Sequence, residues 1–189
     1  MKKAYLVAGA LTLVAVACNK IEDLANISKD FTYTEVVDVP SITGLPSVID
    51  SLPQGGISAD APVMPMETNS AQYISESGSS ANLVQHVKLV KFVTTMKEPS
   101  GSNFDFMDTI RVYVSAQGLE EKLAAKKYGI PKGQQTLELD CEDVNLKEYF
   151  IKDTMYIRFG GHFTGVPDSN AKIELTPTFN MLANPLKNK

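Results

Sequence analysis

The feature that most constrains the fold is the alternation of apolar and polar residues along the chain from Gln85 onward. In DTIRVYVSAQG, the apolar residues Ile110, Val112 and Val114 fall at every second position. Successive side chains of a strand point to opposite faces, so this period predicts a strand with one buried and one solvated face. The pattern recurs in QHVKLVKFVTTMK, QTLELDCED, TMYIRFGGHFTG and AKIELTPTFNMLANPL. Several such strands joined by short turns predict a mainly β fold, namely an antiparallel β-sandwich.

One segment in this half departs from the alternation. GLEEKLAAKKYG consists of strong helix formers between two glycines. Its charges give a helix no support, because Lys122 and Lys126 lie four residues apart and repel each other. We therefore predict a strand here, as in the surrounding segments. NLKEYFIKD predicts a short helix instead, capped by Asn145 and facing inward at Leu146, Tyr149 and Phe150.

The segment before Gln85 is less regular. Phe31 to Val39, FTYTEVVDV, predicts a first strand with Phe31, Tyr33, Glu35 and Val37 on one face. Residues 40–68 contain five of the 10 prolines, which predicts an extended connection without regular elements. Residues 70–77 predict a short helix, with Asn69 or Ser70 as its cap and Gly78 at its end.

Three local features predict how the last strands are arranged. Pro177 indicates an edge strand or a bulge, because proline donates no ladder hydrogen bond. The glycines of FGGHFTG indicate a bulge or a close backbone approach, since no Lys-Ser/Thr follows to make a phosphate loop. GVPDSNA predicts a hairpin loop between the final two strands.

The N-terminus has the three parts of an export signal. Two lysines precede an uncharged apolar run of 13 residues, Ala4 to Val16, and Ala15 and Ala17 lie just before Cys18. The run is shorter than the roughly 20 apolar residues of a membrane span. A buried N-terminal helix is the alternative, but the run has no polar face.

The cysteine at this position resembles a bacterial lipoprotein signal, in which it becomes the first mature residue. The resemblance implies that Cys18 carries diacylglycerol on its thiol and acyl chains such as palmitate, and two or three chains suffice for a durable anchor. The usual leucine three residues before the cysteine is replaced by Ala15. The resemblance to a lipoprotein signal also implies localisation at the outer membrane, on its periplasmic or cell-surface face. The acidic residues Glu22 and Asp23 favour surface display.

These features predict four parts of the chain. They are a signal peptide (1–17), a tether (18–30), a first strand with a Pro/Gly-rich connection (31–82) and a β-sandwich core (83–189). Without residues 1–17 the formal net charge changes from −4 to −6, because 16 basic side chains remain against 22 acidic ones. This charge and the absence of a basic cluster argue against nucleic acid as a partner.

No group of residues predicts catalysis or a cofactor. His86 and His162 have no metal-ligand partner at i+2 or i+4. Cys141 falls on the apolar face of a strand, which favours a buried, inert thiol over a nucleophile. The carboxylates of DCED suit either a calcium site or a solvated strand end, and without EF-hand spacing we favour the strand end. We therefore predict a protein that is not an enzyme and holds no metal.

From about Leu83 onward, the stretches NFDFMDTIRVYVSA and LELDCEDVNLKEYF and the closing hairpin resemble small Bacteroidetes-type lipoproteins with no assigned activity. The resemblance implies an immunoglobulin-like or late-embryogenesis-abundant-type sandwich and no site residues beyond Cys18.

Three functional hypotheses remain open. The first is a membrane-anchored, non-catalytic module that binds a protein or glycan, with Tyr73, Tyr113, Tyr128 and Phe163 as candidate interface residues. The second is a structural component of a surface assembly that uses strand addition. The third is a hydrolase, which would need a cleft with coupled acid and base groups.

Overall fold

The structure, a computed structural model, describes residues 26–39, 52–168 and 170–184. The predicted signal peptide and Cys18 lie outside the described residues, so their roles stay predictions. Within the described ranges, no helix is long and apolar enough to cross a bilayer.

The described residues contain ten strands, two short α-helices and one 3-10 turn (Ala81–Leu83). The strands are β1 (Ile27–Thr32), β2 (Glu35–Asp38), β3 (Ile57–Asp60), β4 (Met64–Glu67), β5 (Val84–Glu98), β6 (Met107–Ala116), β7 (Leu119–Tyr128), β8 (Thr136–Cys141), β9 (Thr154–Phe163) and β10 (Lys172–Ala183). The helices are α1 (Ser70–Glu76) and α2 (Lys147–Phe150). Every strand pair is antiparallel.

The strands form two layers, which confirms the predicted antiparallel β-sandwich. Sheet I contains β1, β2, β10, β5 and β8, and sheet II contains β3, β4, β9, β6 and β7. A short pairing of β7 with β8, at Ala125 with Cys141 and Lys126 with Asp140, joins the sheets along one side. The core lies between them, where the alternating apolar faces are buried. Ile110, Val112 and Val114, for example, are at most 3% exposed.

The opposite side of the sandwich is open. Among the described residues, β1 and β2 pair only with β10, and β3 and β4 pair only with β9. The edges of sheets I and II therefore lie beside each other without a ladder between them. We call this the open side.

The first predicted strand is divided in two, and Pro177 accounts for the division. β1 ends opposite Thr178, and β2 begins opposite Leu175. Between them the Tyr33 N–H donates to the carbonyl oxygen of Pro177 at 3.1 Å. Pro177 has no N–H to donate in return, so the ladder is interrupted there. The predicted bulge is confirmed, since the register with β5 shifts between Thr178 and Phe179. The edge-strand alternative is wrong, because β10 is paired on both sides.

Two other local predictions need correction. Residues 40–68 were expected to lack regular elements, but β3 and β4 lie in this range and pair with β9. GVPDSNA was expected to close a hairpin, but it connects β9 of sheet II to β10 of sheet I. Turn composition indicates where a strand ends and does not indicate which strand it pairs with. The predicted strand in GLEEKLAAKKYG is confirmed as β7.

Both predicted helices are present. α1 begins after Asn69, whose side chain makes no capping hydrogen bond, and the chain turns at Gly78 with φ +68°. α2 is preceded by Asn145, whose Oδ1 accepts the Lys147 N–H at 3.0 Å. Leu146, just before α2, and Tyr149 and Phe150 within it are buried, as predicted.

Candidate functional site

A groove opens between the two sheets on the open side, where β1 gives way to β2. It has a volume of about 330 Å³. An engineered apolar cavity of roughly 150 Å³ admits benzene, so this groove has room for a larger apolar group. Its lining comes from both sheets: Tyr33, Thr34, Glu35, Pro65, Met66, Glu67, Phe92, Ile157, Leu175 and Pro177.

The floor of the groove is apolar. Met66, Phe92, Ile157 and Leu175 are each at most 8% exposed and belong to the buried core. They line the groove because β2 and β4 are short and do not meet over them. The break in sheet I opposite Pro177 places the start of β2 at the groove.

Tyr33 closes one end of the groove. Its hydroxyl donates to the backbone carbonyl of Thr68, which links the edge of sheet I to the end of β4. Its ring packs edge-on against Phe179, with 5.9 Å between centroids, and against Tyr73 at 5.6 Å. Burial, with a smaller contribution from neighbouring Tyr73, raises the pKa of Tyr33 far above its usual value. The phenol is therefore a structural donor at neutral pH.

Two exposed carboxylates, Glu35 and Glu67, stand at the rim. Glu35 lies on the same side of its strand as Tyr33 and Val37, which pack on the core. Within the described part of the chain, no lysine or arginine pairs with either carboxylate. Acids elsewhere do have partners: Lys88 lies 2.6 Å from Asp143, and Lys126 lies 2.5 Å from Glu142.

Within the described residues, the edge of β2 that faces away from β10 has no strand partner, and β2 meets the groove at Glu35. On the other side, the Tyr33 N–H donates to the carbonyl oxygen of Pro177 in β10 at 3.1 Å, and the Val39 N–H donates to that of Ala171, just before β10, at 2.8 Å. Backbone groups in an antiparallel strand alternate between its two sides, so those of Val36 and Asp38 point away from β10. The edge of β4 differs. The Thr68 N–H donates to the backbone carbonyl oxygen of Asp153, on the β9 side, so the same alternation directs the backbone of Pro65 away from β9. Pro65 has no N–H and blocks that edge.

A second apolar cavity lies further along the open side, between β2 and β3. It measures only about 50 Å³ and is lined by Val37, Val39, Phe106 and Phe163, among others. This volume is too small for a ligand of the size that the groove admits.

A polar cleft of about 590 Å³ lies outside sheet II and contains His162 and Asp108. The register of β6 against β9 shifts between Met107 and Thr109, which makes Asp108 the extra residue of a bulge. Its carboxylate oxygens lie 2.9 and 3.0 Å from Nδ1 of His162.

The other nitrogen of His162 faces backbone. A Cβ placed on Gly56 would lie 3.0 Å from Nε2 of His162 and would collide with the Phe163 carbonyl oxygen. The turn before β3 therefore packs directly on the imidazole. Gly56 also has φ +77°, which favours glycine at this position. Among the described residues, no hydroxyl or thiol is hydrogen-bonded to either histidine. The contact between Asp108 and His162 links β6 to β9 where the turn before β3 packs.

The outer face of sheet II carries an ion cluster around Arg158. Its guanidinium contacts Asp60 at 2.6 Å and Glu121 at 2.5 Å, and it stacks over the Tyr113 ring at 4.2 Å. The hydrogen bond from Arg158 lowers the pKa of Glu121. This cluster joins β3, β9, β6 and β7 across their solvent face.

The other polar residues singled out in the sequence lie apart from the groove. The Cys141 thiol is half-buried, and its one hydrogen bond in the described chain runs to the Leu139 carbonyl oxygen at 3.9 Å. Burial, followed by the carboxylates of Glu138 and Asp140, raises the pKa of Cys141 to about 11. His86 lies on β5, and desolvation, followed by Lys88, lowers its pKa. No group of three potential metal ligands occurs within the described residues.

The four candidate interface residues are dispersed. Tyr73 stacks on Phe31 in the core with centroids 4.9 Å apart, and Tyr113 is covered by Arg158. Phe163 lines the small cavity, and Tyr128 is 58% exposed. The structure places none of them in the groove. Its residues Glu35 and Glu67 were not singled out, although a glutamate on the core-facing side of FTYTEVV was a detectable signal.

No protein-family model matches this chain, and no curated protein matches it. Three solved structures that align with it are viral. A turnip yellow mosaic virus chain is 13% identical over 86% of this chain and 84% of that chain, with a TM-score of 0.29. A Desmodium yellow mottle tymovirus chain is 10% identical (86% and 91%; TM-score 0.24), and the decameric BFDV capsid protein is 9% identical (82% and 98%; TM-score 0.36). TM-scores this low do not identify a common fold, so nothing about those proteins is transferred to this chain.

Proposed function

We propose that this protein is a lipid-anchored lipoprotein of the bacterial outer membrane, and that its β-sandwich is a non-catalytic module that binds a ligand in the groove. The observation that carries the binding role is the groove itself. It combines an apolar floor, a volume of about 330 Å³ and a rim of polar groups, as ligand sites commonly do.

The anchor rests on the sequence around Cys18. Asn26, the first described residue, lies eight positions after Cys18, and eight residues of fully extended chain would span at most roughly 27 Å.

Radiolabelled palmitate tests the anchor. Wild-type protein expressed in a bacterial host incorporates the label, and Cys18→Ala does not. Equal labelling of both proteins would contradict acylation at Cys18.

A neutral apolar dye, N-phenyl-1-naphthylamine, tests the groove. Its fluorescence rises when it enters an apolar site, so wild-type protein is expected to bind it saturably. Ile157→Phe fills the groove and abolishes binding, whereas Ile157→Val at the same position leaves the groove open and retains it. Leu175→Phe is an independent blocking variant from the opposite sheet. Unchanged binding by both blocking variants would overturn the proposed site.

Strand addition is the second candidate function, and the free edge of β2 favours it. Val36→Pro removes an N–H that points away from β10, so the ladder to β10 is retained. If the protein is a component of an assembly, wild type forms oligomers in sedimentation velocity and Val36→Pro does not, while Val36→Ala behaves as wild type. A wild-type protein that stays monomeric at high concentration would exclude self-assembly through this edge.

A further inference from the structure

We infer that the groove takes a short extended peptide segment of a partner protein, one whose central apolar side chain is flanked by Lys or Arg. This inference rests on the proposed binding function and adds the chemistry of the ligand. Three properties of the groove carry it: the apolar floor, the free edge of β2 and the charge of the rim.

The floor selects an apolar side chain. Phe92 from sheet I and Ile157 from sheet II face the same space of about 330 Å³, and both are at most 8% exposed. A side chain inserted here would exchange water for contacts with both sheets, at about 25 cal/mol per Å² of apolar surface removed from water.

The edge of β2 selects an extended backbone. The outward backbone groups of Val36 and Asp38 lie just beyond the groove, which β2 borders at Glu35, and a peptide that leaves the groove along β2 can pair with them in the manner of β-augmentation. A compact amphiphile would fill the floor and leave these donors and acceptors unused. Pro65 blocks the equivalent edge of β4, so pairing is directed to one side of the groove.

The rim selects cations. Glu35 lies on the core-facing side of β2, and Glu67 borders the groove from β4. Neither has a basic partner within the described ranges, so an apolar floor bordered by these two carboxylates is complementary to an apolar residue with basic neighbours. A segment flanked by acids would meet like charge at the rim.

A peptide library tests the inference. Random seven-residue peptides on beads are probed with labelled protein that lacks only the predicted signal peptide. Enriched peptides are expected to share an apolar centre with Lys or Arg on either side. The affinity of one enriched peptide is then measured by fluorescence anisotropy against wild type and variants.

The variants separate charge from shape. Glu35→Gln combined with Glu67→Gln should weaken binding about 2- to 30-fold, the range for two exposed ion pairs. Glu148→Gln removes an exposed carboxylate from α2, outside the groove, and should have no effect. Ile157→Phe should abolish binding, and added salt should weaken wild type more than the double variant.

Two outcomes would overturn the inference. One is enrichment of peptides without basic flanks, or of none at all. The other is unchanged affinity in the double variant. If the apolar dye still binds and is still blocked by Ile157→Phe, the groove remains a binding site and only the peptide chemistry is wrong. If the dye does not bind either, the proposed function itself fails.

Discussion

Gly161→Ala should destabilise the protein clearly more than Gly160→Ala on the same strand. A Cβ at Gly161 would lie 2.8 Å from the backbone carbonyl oxygen of Thr109 and 3.1 Å from Cε of Met107. The carbonyl belongs to β6, next to the bulge that presents Asp108 to His162. Backbone in a paired strand cannot move aside without disturbing the ladder.

The expected cost follows from two opposing contributions. Overpacking a close-packed site typically costs about 1–3 kcal/mol. Replacing glycine by alanine in extended backbone restricts the unfolded chain and returns about 0.4–1 kcal/mol. Taking the middle of each range, about 2 and about 0.7 kcal/mol, the net loss in the free energy of unfolding is about 1.3 kcal/mol, or a fall of about 3–5 °C in Tm for a chain of this length.

Gly160→Ala is the matched control. A Cβ at Gly160 would collide with Oδ1 of Asp60, which is the far end of a side chain that is 56% exposed and free to turn outward. The loss is limited to the ion pair between Asp60 and Arg158, worth at most about 1 kcal/mol for an exposed pair. The entropic gain offsets most of it.

Equilibrium unfolding in urea, followed by circular dichroism, measures both variants at constant m-value. A Gly161→Ala protein as stable as wild type, or a Gly160→Ala protein less stable than Gly161→Ala, would refute the assigned close approach.

Three further predictions concern pH, thiol chemistry and the core. The pKa of Glu121 is lowered in the folded state. Its ion pair therefore stabilises the protein above the unfolded pKa of about 4.5, and this stabilisation is lost as the pH falls through the lower, folded pKa. Glu121→Gln should make the free energy of unfolding less dependent on pH in this range. Because the pKa of Cys141 is about 11, little of it is thiolate at pH 7.5, and it should react slowly with iodoacetamide. Its rate should rise with pH. It should reach the rate of a free cysteine only when the protein is unfolded. Phe179→Ala removes a 2% exposed ring stacked on Phe31 and should cost about 3–5 kcal/mol in urea unfolding, while a loss under 1 kcal/mol would mean that this ring does not support the core.

Local pattern predicted most of the strands correctly because the period of two reports which face of a strand is buried. Ile110, Leu137 and Phe179 are buried where alternation places them. β7 was predicted against its helix-forming composition, and its ladders with β6 and β8 supply the hydrogen bonds that outweigh helix propensity.

The candidate site was not predictable in the same way. β3 and β4 are four residues each and contain or border prolines, so neither shows enough periodicity to be recognised. Glu35 and Glu67 lie 32 positions apart, and nothing in either segment indicates that they border one groove.

The sequence by itself determined an antiparallel sandwich with a buried face on each strand, two short helices and an expectation of attachment at Cys18. Only the tertiary structure decided that the sheets join through β7 and β8 and stay apart on the other side. Alternation is a property of one strand, whereas a groove depends on which strands become neighbours. Pro177 connects the local pattern with the tertiary structure. The sequence shows that Pro177 has no N–H to donate. Only the structure shows that Tyr33 is opposite Pro177 in the ladder, which places the resulting break beside the groove.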